Sequence, residues 1–195
     1  MHMFGFGIND DEFIRGKVPM TKAEIRAMVM VKAGIQPEDI VADIGAGTGS
    51  LTIEAALCAT KGKVYAIEKN LEGIDLIKQN AKKFGCTNIH VISGTAPEAM
   101  DELPLLDVVI IGGTSGSMHE ILDRGTKLLK LGGRMVVTSV TAETTGEVVR
   151  EFKDRPFILD GFQMQINRLK KLGRYHLFNP ISPVFIFTAI KNKEE

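Results

Sequence analysis

Gly45, Gly47 and Gly49 stand at alternate positions in "VADIGAGTGSLTIEAA", residues 41–56, between an apolar run and a helix-like run. Glycine at such a turn lets the backbone bend sharply and lets a ligand lie against it with no Cβ in the way. A dinucleotide turn repeats as G-x-G-x-x-G, but position 50, where the third glycine belongs, is Ser50. A Walker loop needs a lysine after its last glycine, and none follows Gly49. Both phosphate-binding readings are weakened by the spacing. A ligand without phosphates suits the remaining features. The helix that begins near Thr48 offers free N–H groups to a carboxylate tail. Glu68 closes the next apolar run, where an acid accepts hydrogen bonds from a ribose diol and repels a 2′-phosphate. Asp43, just before the turn, is placed to orient it or to face an amino group of the ligand.

These residues need strands to hold them. Residues 39–45, 63–70, 88–94, 106–113 and 133–140 are short runs rich in Val and Ile, each ending in Gly, Ser, Thr, Asn or Val. Between them, Leu71, Ile74, Ile77, Ala81 and Phe84 form one helical stripe, and Met118, Ile121, Leu122, Gly125, Leu128 and Leu129 another. Doubly apolar strands alternating with amphipathic helices predict an α/β fold with a parallel sheet covered on both faces. Beyond Phe152 the pattern changes. Residues 157–169 and 182–191 read as two long strands forming an antiparallel C-terminal hairpin, joined by the polar "KKLGRYHLFNPI". Residues 1–35 read as an N-terminal arm and a capping helix. That helix starts at Thr21, where "TKAE" predicts a capping box with Glu24 reaching back.

The 195 residues predict one domain. Lys plus Arg equals Asp plus Glu at 24 each, a neutral balance that argues against nucleic acid as partner. Cys58 and Cys86 lack metal-ligand spacing and read as reduced core thiols. The N-terminus has no signal-peptide pattern, and no run approaches the ~20 apolar residues of a membrane span. The expected location is cytoplasmic.

At this point "VADIGAGTGSLTIEAA", "VYAIEKN" and "LLKLGGRMVV" resemble the class I S-adenosylmethionine-dependent methyltransferases, a Rossmann-like fold. Leu131 stands where that family often has proline. The resemblance implies a seven-stranded, mostly parallel sheet whose last two strands form the hairpin. No N-P-P-Y-like motif of amino-group methyltransferases follows the fourth strand; that place reads "IIGGTSGSMHEIL". "INDDEFI" with "VPMTKAEIRA", "GTAPEAM", "GGTSGSMHEIL" and "NPISPVFIFTA" together resemble the decarboxylating cobalt-precorrin-6B (carbon-15) methyltransferases.

The resemblance implies methyl transfer from S-adenosyl-L-methionine to carbon 15 of a cobalt-precorrin, with loss of carbon dioxide from the carbon-12 acetate. It also implies a homotetramer and a separate carbon-5 methyltransferase as partner. Thr21, Gly45, Ala46, Gly47, Thr48, Gly49, Glu68 and Ala96 fall at the family's cofactor-binding places. Thr114, Ser115 and Ser117 offer hydroxyls beside the cofactor. Arg168, Lys170, Lys171 and Arg174, in a run with no acid, are candidates to clamp corrinoid carboxylates, with Arg168 and Arg174 foremost. His119, at the start of a helix, is an acid–base candidate or a plain capping or exposed residue. No metal ligand set is expected and no catalytic residue is singled out. RNA or protein methylation on the same fold, a dehydrogenase-like nucleotide binder and a non-catalytic sensor of the cofactor are the rival readings.

Overall fold

The computed structural model describes residues 6–114 and 116–192. After an arm with one short 3-10 turn, α1 (Ala23–Ala33) leads into β1 (Ile40–Ile44), α2 (Ser50–Cys58), β2 (Lys63–Glu68), α3 (Leu71–Phe84) and β3 (Ile89–Ser93). Then come β4 (Leu106–Ile111), α4 (Met118–Leu128), β5 (Leu129–Ser139), α5 (Ala142–Phe152) and β6 (Phe157–Met164). The chain closes with β7 (Asn167–Leu172), β8 (Tyr175–Pro180) and β9 (Val184–Lys191). Seven strands form one sheet in the order β3-β2-β1-β4-β5-β9-β6, with β9 antiparallel to both neighbours and β1 to β5 mutually parallel. This is the sheet that the resemblance implied.

Side chains alternate across the strands to fill two cores. Ile44, Ile67, Val109, Ile111 and Val137 pack under α4 and α5, whereas Val41, Val64, Val108, Ile110 and Val136 pack under α1 and α2. Burial on both faces explains why the strands read as continuous apolar runs. Chain order reverses at β1, which has β2 on one side and β4 on the other. In such sheets the crevice beyond the strand ends at this switch point is where ligands bind.

The structure corrects the sequence reading in three places. The run read as one strand to Leu169 breaks after Met164, and the segment read as an irregular connection is the separate hairpin β7–β8. Gly173, at φ +60°, allows its two-residue turn. Leu169, Leu172, Tyr175, Leu177 and Phe178 are all more than half exposed, so the arm has no buried face to betray it by alternation. The predicted capping box is absent. Lys22 is the N-cap of α1 and makes no side-chain cap bond, and Glu24 instead takes two bonds from the Arg168 guanidinium, at 2.9 and 2.5 Å. A bidentate charged pair is the stronger attraction. On α3, Leu71 is 78% exposed, and the buried face is Gly73, Ile74, Leu76, Ile77 and Asn80.

The N-terminal arm is tied down by Arg26, whose side chain has no exposure. Its guanidinium donates to Glu54 and Asp10, both at 2.9 Å, and to the carbonyls of Thr21 and Ile8, and it lies 4.6 Å from the Phe13 ring centroid. Glu54 in turn accepts the N–H groups of Gly7 and Ile8 at 3.1 Å. A buried ion pair is tolerated when its remaining polar groups are matched in this way.

Candidate functional site

The ends of β1, β2, β3 and β4 enclose a cleft of about 180 Å³ lined by Gly45, Glu68, Gly94, Ala96, Gly113 and Thr114, among others. The turn after β1 has Gly45, Gly47 and Gly49 all in the left-handed region, at φ +72°, +58° and +77°. A Cβ at Gly45 would come 2.8 Å from the Gly113 carbonyl oxygen, so the turns after β1 and β4 touch across the switch point. Glycine is required there for contact as well as for conformation.

Glu68 is the polar centre of the cleft. Its Oε2 accepts the Gly47 N–H and its Oε1 the Asn70 N–H, each at 2.8 Å. A carboxylate offers about four acceptor positions, so two remain for a diol. Ala96 is buried on the opposite wall, after β3. Asp43 lies behind the turn, fully buried. Its Oδ2 accepts the Thr52 hydroxyl at 2.6 Å, and its Oδ1 has no partner. Burial drives the Asp43 carboxyl up to about 6, against the Thr52 hydrogen bond and with help from the charge of Glu68.

The other glycine-turn residues serve the turn itself. The Gly45 and Ala46 N–H groups both donate to the Ile67 carbonyl at 3.0 Å, and Gly49 N–H donates to the Ala46 carbonyl at 2.9 Å. Thr48 is buried with its hydroxyl unpartnered, and α2 begins two residues later than the sequence suggested. The N–H groups expected to be free for a carboxylate tail are therefore partly spent within the turn. Thr21 lies outside the cleft lining, and its carbonyl is held by Arg26.

A second cleft, of about 110 Å³, adjoins the first through the shared residues Gly113 and Thr114. Met118, Ser139, Thr141 and Thr144 line its far side. The last three are hydroxyls that the sequence reading missed, because they sit on the fifth strand end and the following helix rather than in a glycine motif. Ser115 lies outside the described residues.

His119 lines neither cleft. Its Nδ1 is 2.7 Å from Glu151, which chiefly holds its pKa above the ordinary value, and its Nε2 is 3.5 Å from Asp123. It is an exposed side chain that joins α4 to α5, as the plainer reading allowed, and it does not cap the helix. Arg168 is held through its Nε and Nη2 by Glu24, with Asp10 3.3 Å from Nη2, so it fastens the β7–β8 arm to α1 and to the N-terminal arm while its side chain stays 41% exposed. Arg174 sits at the arm's turn, 4.9 Å from the Tyr175 ring centroid. Both cysteines are free thiols, half-buried rather than in the core, and no His/Cys/Asp/Glu cluster among the described residues could hold a metal ion. None of the described helices is long and apolar enough to cross a membrane.

Glu68, the close-packed glycines, the buried Ala96 and the orphaned Asp43 oxygen fit a nucleoside with an amino-acid tail. Comparison with known proteins bears on the rest. A family model described as precorrin methyltransferase domain matches residues 12–191. A Sulfurisphaera tokodaii protein named probable cobalt-precorrin-6B C(15)-methyltransferase (decarboxylating) is 39% identical over 183 residues, covering 92% of this chain and 95% of the relative. The Salmonella typhimurium protein of that name, without "probable", is 35% identical over 188 residues, covering 95% and 97%. The crystal structure titled precorrin-6y C5,15-methyltransferase from Geobacter metallireducens superposes with a TM-score of 0.90 at 36% identity, covering 95% of this chain and 98% of that one. With this match along almost its whole length, on a class I methyltransferase sheet, the chain belongs to the precorrin methyltransferase family.

Proposed function

We propose that this enzyme transfers a methyl group from S-adenosyl-L-methionine to carbon 15 of a cobalt-precorrin and removes the carbon-12 acetate carboxyl as carbon dioxide. The observation that carries this reading is the pair of clefts meeting at Gly113–Thr114, one with the Glu68 carboxylate at its centre and the other lined by hydroxyls. The names of the relatives supply the substrate class.

In this reading Glu68 accepts the ribose hydroxyls and the backbone at Ala96 meets the adenine. Gly45 lines the cleft at the tail end, Ala46, Gly47, Thr48 and Gly49 would set the turn behind it, and Thr21 would reach the tail only from outside the cleft lining. S-adenosylmethionine, when bound, supplies a methyl group already activated on a sulfonium, so no protein acid or base is needed to make it electrophilic. The work left to the protein is alignment in a site that excludes water, which alone is worth roughly 7–11 kcal/mol of barrier. Thr114, Ser139, Thr141 and Thr144 would orient the corrinoid at the junction of the clefts, with Ser115 as a further substrate contact. Its conjugated macrocycle delocalises the electron pair left by decarboxylation, so the protein need not provide an electron sink. Lys170, Lys171 and Arg174 on the exposed arm would take its peripheral carboxylates, with Arg168 holding the arm in place.

The arm's exposed Leu169, Leu172, Leu177 and Phe178 support assembly, and we place the chain in a homotetramer. A separate carbon-5 methyltransferase would act as its partner in the reaction sequence. Transfer of label from methyl-labelled S-adenosylmethionine tests the reading. Label is expected in a cobalt-precorrin and not in RNA or an isoaspartyl peptide; label in either of the latter, with none in the corrinoid, would overturn it.

A further inference from the structure

The face of α3 that carries Gly73, Ile77 and Asn80 lies directly under the glycine turn. A Cβ on Gly73 would come 2.9 Å from the Gly47 carbonyl oxygen, and one on Gly49 would come 2.8 Å from Ile77 Cγ1. Asn80, one turn further along this face, is fully buried although it is polar. Its Nδ2 donates to the Thr48 carbonyl at 3.2 Å and to the Ile14 carbonyl at 3.1 Å, while its Oδ1 accepts the Ile14 N–H at 2.8 Å. One amide side chain thus joins α3, the turn and the N-terminal arm.

The arm is fastened again three residues on, where Glu72 accepts the Lys17 N–H at 2.7 Å. A side chain at Gly16 would collide with that carboxylate. Beyond it, the Pro19 carbonyl passes 3.3 Å from the place a Gly47 Cβ would occupy. Residues 14–19 therefore form a strap across the outer side of the turn, pinned to α3 by Asn80 and Glu72. Among residues 14–19 there is no helix or strand to hold the strap by itself. Chain that must be ordered when a ligand binds subtracts from affinity, and chain already ordered does not.

We propose that Asn80 is a positioning residue for methyl-donor binding, acting through the Thr48 carbonyl and through the strap that it holds on the glycine turn. The proposal rests on the reading that the cleft binds S-adenosylmethionine. Replacing Asn80 takes the side-chain partner from two carbonyls, those of Thr48 and Ile14, and from the Ile14 N–H, so the turn and strap would move to find new ones.

The test is calorimetric titration of S-adenosylhomocysteine into the wild type, Asn80→Leu, which keeps the side chain's bulk, and Glu72→Ala. Asn80→Leu is expected to weaken binding about tenfold and Glu72→Ala about threefold, with stoichiometry unchanged. In turnover the same losses should appear in the donor KM rather than in kcat. A merely structural role would lower the stoichiometry and leave Kd alone, which would overturn the proposal, as would unchanged Kd in both variants. Should Asn80→Leu fail to fold, Glu72→Ala decides by itself. A wild type that does not bind would overturn the reading of the cleft and this inference together; a wild type that binds beside unaltered variants would overturn this inference alone.

Discussion

Asp43 carries the clearest residue-scale prediction. With its folded pKa raised to about 6 from an ordinary 3.8, its native state holds a proton that the unfolded chain has lost in the interval between. Stability from this group is therefore fully present below the lower value and is lost as pH rises through the upper one. Asp43→Asn keeps an acceptor for the Thr52 hydroxyl and removes the buried charge. In the ligand-free protein it should be more stable than the wild type above about pH 7, by on the order of 2–3 kcal/mol, with the gain vanishing toward about pH 4. Urea unfolding across that range checks it; a gain that persists at the acid end would contradict it. Glu68 and the alternate glycines were legible in the sequence because a left-handed backbone turn demands glycine, and an acid at the strand end can accept the Gly47 N–H that this turn presents. The partners of Arg168 were not, since Glu24 and Asp10 lie 144 and 158 residues away along the chain.

At the scale of elements, the central strands were legible because burial on both faces makes them continuous apolar runs, and α4 because it buries one periodic apolar face. The β7–β8 arm was not, because neither of its faces is covered and its sequence has nothing to alternate against. α3 lies between these cases: its helix and the buried Ile74 and Ile77 were legible, but Gly73 and Asn80 were not, because a glycine and an amide interrupt the apolar stripe where the turn is seated. The arm gives a prediction with two separable parts. Arg168→Ala breaks partly exposed ion pairs, so it should cost less than about 1 kcal/mol in global stability. It should nonetheless speed amide hydrogen exchange in β7, whose tie to the N-terminal arm is lost. Arg174→Glu should raise the corrinoid KM and leave the donor KM unchanged. Equal effects on both constants would show that the arm acts on the fold rather than on the substrate.

For the whole molecule, the strand order explains why two clefts adjoin at one place. The sheet reverses its winding at β1, the turns after β1 and β4 meet at Gly45 and Gly113, and the two clefts open on either side of Gly113–Thr114. The β7–β8 arm is a sheet of its own with exposed apolar side chains, and its place in the proposed tetramer is testable. Light scattering should find four copies of the wild type, and Leu169→Ser with Phe178→Ser should shift the mass downward while S-adenosylhomocysteine still binds. A double variant of unchanged mass would remove the arm from the interface. The central claim is tested most directly by incubating the protein with S-adenosylmethionine and an enzymatically prepared cobalt-precorrin, then weighing the corrinoid by mass spectrometry. The account predicts one methyl group gained and one carbon dioxide lost in the same product. An unchanged corrinoid mass, in a sample that still binds S-adenosylhomocysteine, would contradict it.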